Sequence, residues 1–171
     1  MTTLEILTIP DPRLKRKSIE INSFDDQLKK TVADMYETLY ATGNGIGLAA
    51  PQVGILKRIV VIDLKVDGNS SPITFINPKI VRFSETKSVN EEGCLSIPDY
   101  YSEIERPQEV DVEWYDEEGK KSHKTLNGLL SICIQHEIDH LNGILFIDYL
   151  SKLKRKLAIE KVKKNQLKHN K

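Results

Sequence analysis

Residues Ile134 to Gly143 read IQHEIDHLNG. On an α-helix, residues i and i+4 stand one above the other, so the imidazoles of His136 and His140 can converge on one ion. Glu137 falls about 100° further round. A carboxylate there borders the ion without ligating it and can accept a proton from a water activated beside it. A hydrolytic metal site ordinarily has three protein ligands and one open position. The segment therefore supplies two ligands and a base, and the question is where the third ligand lies. Without one, the pair reduces to two core histidines beside an incidental glutamate.

Three places could supply it. In the extended pattern H-E-x-x-H-x-x-G-x-x-H the match runs as far as Gly143 and then fails, because Phe146 stands where the third histidine would be. A second arrangement uses a glutamate on a later helix, and Glu160 lies at a workable distance. As the only acid of a cationic tail, however, Glu160 suits a surface partner of nearby lysines better. The third place is a cysteine. A thiolate beside two imidazoles suits Zn or Fe(II), and on spacing alone Cys94, in EEGCLSIP, and Cys133 both qualify. Cys133 sits three residues before His136 on the same helix face, where a short side chain would more naturally line a pocket.

Around this segment the chain organises into a recognisable order. Leu28, Val32, Met35 and Leu39 recur at helical spacing, with Ser23 or Asp25 as the cap and Gly43 and Gly45 as the stop. RIVVIDLKV and TFINPKIVRF are rich in β-branched residues and read as strands. EVDVEWYDEEGKKSHKTL reads as a hairpin turning at Gly119. From about Leu126 the period becomes helical again, and Gly143 is placed to end that helix just past Leu141. A helix, several strands, then a helix imply an α+β fold.

Length and composition set bounds. The 171 residues suffice for a core of their own, and one domain spanning 1–171 is expected. No stretch approaches the roughly 20 apolar residues of a membrane span. The opening MTTLEILTIPDPRLKRKS has neither a signal-peptide core nor a presequence composition, so a cytoplasmic protein is expected. Two cysteines give no disulfide framework. The 25 basic and 25 acidic residues cancel overall, but nine of the bases and only Glu160 among the acids lie in residues 151–171. This basic arm on an acidic body would be drawn to polyanions such as ribosomal RNA.

GNGIGLAAPQVG has the spacing G-x-G-x-x-A, yet it follows a helix rather than a strand and meets Pro51 at once, which excludes a dinucleotide fingerprint. It is a small-residue loop whose backbone can press against another element, carrying the amide of Gln52 as a neutral donor for a developing oxyanion.

In chain order, GIGLAAPQ (45–52), EGCLS (92–96) and QHEIDHLNG (135–143) resemble the three signature motifs of the peptide deformylases. ILTIPDPRL and LFIDYLSKLKR extend the resemblance over essentially the whole chain. It implies an α+β fold of antiparallel or mixed sheets around the helix carrying HExxH, with further helices at the N- and C-termini. It implies removal of formate from N-formylmethionine at the start of nascent proteins. Cys94 is then the third ligand beside His136 and His140, and Glu137 the general acid/base. Gln52 and the Leu95 N–H are the oxyanion donors, and Gly47 belongs to the loop lining the site. Ile46, Leu129, Ile132 and Cys133 would wall a methionine pocket. The implied cofactor is one divalent ion, Fe(II) foremost, with Ni, Co or Zn as substitutes.

Two positions depart from the family pattern. Tyr101 stands where many members carry a substrate-binding arginine, and Asn90 where an apolar pocket residue is expected, so a more polar rim is expected. Glu92 and Arg106 match a structural ion pair. The competing readings are a peptidase cleaving internal bonds with Glu160 as ligand, and a non-catalytic ribosome-associated protein holding a structural metal. Leu150, Leu153 and Leu157 continue a helical spacing into the basic arm, fading beyond Val162, and this arm is expected to dock near the nascent-chain exit of the ribosome.

Overall fold

The computed structural model describes residues 1–171. The first helix, α1 (Asp26–Ala41), is capped by Asp25, whose side chain accepts from the Leu28 N–H at 2.9 Å. Ser23 supports the cap from outside by donating to Asp25. All four residues of the expected stripe, Leu28, Val32, Met35 and Leu39, are buried.

A five-stranded antiparallel sheet follows, in the order β1 (Gly47–Ala49), β2 (Ile59–Ile62), β3 (Ile73–Phe83), β6 (Val110–Tyr115) and β7 (Lys121–Leu126). β4 (Lys87–Cys94) and β5 (Ile97–Pro107) form a separate two-stranded hairpin. Every strand pairing is antiparallel, so the mixed alternative is not realised. The helix α2 (Gly128–Leu141) carries His136 and His140, and Gly143 turns the chain away at φ +72°.

β2 shows why its sequence is continuously apolar. Ile59 and Val61 pack with α1, whereas Val60 and Ile62 pack with α2, so the strand is buried on both faces. On the α2 side Phe75 and Trp114 meet with ring centroids 4.8 Å apart, beside Ile134, Ile138 and Leu141. A third cluster joins Leu7, Ile9 and Leu14 to Ile97, Ile104, Phe146 and the last helix, α3 (Lys152–His169).

Three local features go beyond the sequence reading. The glycine-rich segment is a short strand followed by a 3₁₀ turn, Ala50–Val53, not a plain loop. β4 and β5 carried no alternating apolar signal, since the one buried residue of β4 is Glu92. The arm α3 continues to His169, well past Val162, and it docks through Ala158 and Val162 while Leu153 and Leu157 face solvent. No helix is long and apolar enough to cross a membrane.

Candidate active site

Three elements bring the site together. The β4–β5 hairpin turns between Cys94 and Ile97, which places Cys94 at its tip. α2 presents His136 and His140 one turn apart, and the 3₁₀ turn presents Gln52. The ligating atoms of Cys94, His136 and His140 all lie within 4.8 Å of one another, and Cys94 Sγ is 3.2 Å from His140 Nε2. The edges of a tetrahedral site with one thiolate and two imidazoles are ~3.5 Å, given metal–ligand bonds of ~2.0–2.3 Å. The donor set and its spacing therefore fit one divalent ion. Cys133 stays outside the group, buried with Ala49 and Ile134, where burial pushes its thiol well above its ordinary pKa. Glu160 is also outside; it is exposed on α3, 4.0 Å from Lys156.

The histidines are held by their surroundings. His136 Nδ1 lies 2.9 Å from Glu92 Oε1, which fixes the tautomer so that Nε2 faces Cys94 and His140. Glu92 is in turn held by Arg106 through Nε at 2.6 Å and Nη2 at 2.9 Å. Arg106 also donates to Asp139 at 2.9 Å, and Asp139 accepts from the Tyr149 hydroxyl at 2.8 Å. The Glu92–Arg106 pair thus forms, and the sequence reading missed its continuation through Asp139 to Tyr149. The i+3 spacing of Asp139 from His136 was the available signal. Burial, and then the nearby His136, lower the His140 pKa well below its usual value, which leaves a neutral ring ready to ligate.

Glu137 is 4 % exposed, and its Oε2 has no hydrogen-bond partner within the chain. Burial pushes its carboxyl up to about 7. A divalent ion beside it would pull that value down and favour the carboxylate. Gly47 explains the small-residue loop: a Cβ there would lie 2.8 Å from Glu137 Oε1 and 2.9 Å from Cys133 Sγ. Gln52 is 1 % exposed. Its Oε1 accepts from the Ala49 N–H at 2.9 Å, and this orients the amide NH₂ toward Ser96 Oγ at 3.1 Å and Cys94 Sγ at 3.5 Å. The Leu95 N–H, at the hairpin tip, has no acceptor within the chain.

These groups open on a cavity of about 440 Å³. Ile46, Gly47, Leu129, Ile132 and Cys133 all line it, as do Gln52, Cys94, Leu95, His136 and Glu137. Leu129 is 56 % exposed and so is a wall residue, not core packing. Asn90 does not line the cavity; it points outward and donates to Ser88, and the polar rim comes from Glu91 and Asp99 instead. His140 lies behind the cavity wall, 1 % exposed.

Because Glu92 both orients His136 and neutralises Arg106, Glu92→Gln is expected to weaken metal affinity ~10–100-fold, the usual effect of losing an outer partner of a ligand. Chelator competition against the unaltered protein measures it, and equal affinities would remove Glu92 from this role.

Comparison with known proteins agrees with this architecture. The polypeptide deformylase family model matches residues 3–156. A peptide deformylase of Rhizobium meliloti is 51 % identical over 165 residues, covering 96 % of this chain and 94 % of its own. Peptide deformylase 2 of Vibrio cholerae is 52 % identical, with 96 % of each chain covered. Among solved structures, the peptide deformylase of Ehrlichia chaffeensis in complex with actinonin superposes with a TM-score of 0.91 at 47 % identity, covering 96 % of this chain and 98 % of that one. With the match extending from the N-terminal segment through the cysteine hairpin and the histidine helix, this chain belongs to the polypeptide deformylase family.

Proposed function

We propose that this chain is a metal-dependent hydrolase that removes the formyl group from N-formylmethionine at the start of nascent polypeptides, releasing formate. The observation that carries the reading is the convergence of Cys94 with two α2 histidines beside the buried carboxylate of Glu137. Cys94, His136 and His140 are the proposed ligands. An ion bound there supplies Lewis acidity to a water and to the formyl carbonyl. Fe(II) is assigned on the family resemblance, and the same donors suit Zn, Ni and Co.

The chain's own groups then perform the proton and charge transfers. Glu137 takes a proton from water as its oxygen attacks the formyl carbon, and later gives that proton to the amine as the C–N bond breaks. Negative charge develops on the formyl oxygen, and the Gln52 amide and the Leu95 N–H are the proposed donors to it. Ile46, Gly47, Leu129, Ile132 and Cys133 offer the methionine side chain an apolar wall and exclude water from the reacting bond. The amide of Gln52 is held from behind by the Ala49 N–H, which fixes the direction in which its NH₂ donates. Gln52→Ala is therefore expected to lower kcat ~10²–10³-fold with KM little changed. Steady-state kinetics on formyl-Met-Ala-Ser check this, and a change confined to KM would reassign Gln52 to binding.

Anaerobic purification with metal analysis, followed by assays of formate release from formyl-Met-Ala-Ser and of casein digestion, tests the whole reading. Formate release without casein cleavage is expected, and the reverse would favour the peptidase. The peptidase reading lacks its ligand, since Glu160 pairs with Lys156 on the surface. A structural metal site would be closed by four protein ligands, and three converge here.

The basic arm supports a further proposal, that α3 docks the enzyme on the ribosome near the nascent-chain exit. Ala158 and Val162 anchor the helix, and the residues beyond Lys164 contribute no buried side chain. Deleting them is expected to weaken ribosome co-sedimentation while sparing hydrolysis of short peptides. Unchanged co-sedimentation would remove the proposal.

A further inference from the structure

α2 is a wall shared by two cavities. Ile132, Cys133, His136 and Glu137 line the one that holds the metal ligands, whereas Gln135, Ile138, Asp139 and Asn142 line a second, of about 1330 Å³, and the two have no lining residue in common. We propose that this second cavity binds a phosphate monoester of a flat apolar group. Arg58, Lys17, Lys79 and Ser18 receive the phosphate, and Ile21, Phe24 and Tyr115 form the wall for its apolar body. The site goes beyond the deformylase reading and does not depend on it.

At its centre an arginine without a counter-charge meets a hydroxyl without a partner. The Leu141 carbonyl brings the two together, accepting from Arg58 Nη1 at 3.1 Å and from the Ser18 N–H at 2.8 Å. Arg58 Nη1 also donates to Asn142 Oδ1 at 3.1 Å, but its Nε and Nη2 have no acceptor within the chain and no carboxylate pairs with the guanidinium. Arg58 is half-buried, and burial lowers its pKa from the ordinary arginine value, which the charge of Glu20 offsets only in part. Ser18 is 4 % exposed, and its Oγ has no hydrogen-bond partner. Unpaired buried charges and hydroxyls both cost stability, and one oxyanion would satisfy both groups.

Lys17 and Lys79 extend the positive end. Lys17 precedes Ser18, and Lys79 follows Asn77, whose backbone N–H donates to the Arg58 carbonyl at 2.9 Å. Both lysines are exposed, line the cavity and form no ion pair. Of the acids in the lining, Asp139 is held by Arg106, Glu113 faces Lys121, and Glu105 lies with the unpaired Lys87 on the β4–β5 hairpin. Three cations against Glu20, the one unpaired acid left at this end, suit a dianion. The apolar wall adjoins them. Asn77 holds Ile21 from both sides, accepting from its N–H and donating to its carbonyl, each at 2.8 Å. Phe24 and Tyr115 meet with ring centroids 5.8 Å apart. A flat body packs on such a surface while the planar fork of Arg58 takes two phosphate oxygens.

The test is titration of the Zn-loaded protein with phenyl phosphate, followed by amide NMR shifts. Saturable shifts are expected at Ser18, Asn77 and Asn142, with a dissociation constant on the order of 1 mM. Arg58→Gln is expected to weaken binding by ~10-fold or more, because a charge-assisted pair is lost. Since Arg58 also braces the end of α2, the pair Lys17→Ala and Lys79→Ala supplies a second variant that leaves the brace intact. Two exposed cations, each worth a few-fold, should cost about tenfold together. Inorganic phosphate should bind more weakly, and benzylamine should leave these amides unmoved. Shifts confined to Gly47 and Leu95 would place the anion at the metal ligands and overturn the proposal. Unchanged affinity in the double variant, or equal binding of inorganic phosphate or benzylamine, would overturn it as well.

Discussion

Glu137→Gln is expected to lower kcat by ~10²–10⁴ while the metal stays bound, the range associated with loss of a positioned acid/base. The substitution keeps the size of the side chain and removes its ability to take and return a proton. Glu137 is adjacent to His136 on α2 but points about 100° away from the ligand direction, so the ion loses no donor. Its Oε1 lies against Gly47 and its buried Oε2 has no partner in the chain, so the carboxyl is not committed elsewhere and is left for water and then for the amine. Formate release and metal content, measured on the same preparation, check the prediction. Activity within tenfold of the unaltered enzyme, at equal metal content, would mean that another group moves the proton.

The parts of the fold legible in the sequence are those whose signal is local and apolar. The stripe Leu28, Val32, Met35 and Leu39 is buried as read, and the hairpin turns at Gly119. The β4–β5 hairpin was not legible, because its inner positions include a buried ion pair and its outer ones are charged. Its stability comes from Ile97 and Ile104 packing on distant elements and from Arg106 meeting Glu92 and Asp139, which no window of sequence reveals. The docking face of α3 was not legible for a related reason. Leucines 153 and 157 form the more apolar spacing, but the close approach of α3 to its neighbours requires the small Ala158 and Val162.

The site divides in the same way. His136, Glu137 and His140 were readable because helical periodicity alone sets their relation. Residue spacing could not separate Cys94 from Cys133 as the third donor, since distance along the chain says nothing of which loop folds back. The family resemblance favoured Cys94, and in the fold the hairpin tip brings Cys94 Sγ to the two histidines. Its neighbours at the cavity mouth, Glu91, Asp99 and Tyr101, are exposed polar residues that become meaningful only once the cavity exists.

Cys94→Ser is the second large effect, and it separates the proposed centre from its competitors. Serine nearly preserves the shape of the hairpin tip, so Gln52 and Ser96 keep their mutual contact. It replaces a soft, ionisable sulfur with a hydroxyl that stays neutral near pH 7, and the ion loses both a strong donor and its charge-balancing anion. Two imidazoles alone remain. The loss of metal affinity should therefore exceed the ~10–100-fold expected of an outer partner such as Glu92, and turnover should fall with occupancy. Substitution with Co(II) offers an independent readout, because a sulfur-to-metal charge-transfer band in the unaltered protein should disappear in Cys94→Ser and persist in Cys133→Ser. Glu160→Gln should leave the band, the metal content and the rate intact, since Glu160 is exposed on α3 with Lys156 as its partner. If Glu160→Gln emptied the site and Cys94→Ser did not, the helix pair would belong to a peptidase, and the hairpin tip would have no part in the chemistry.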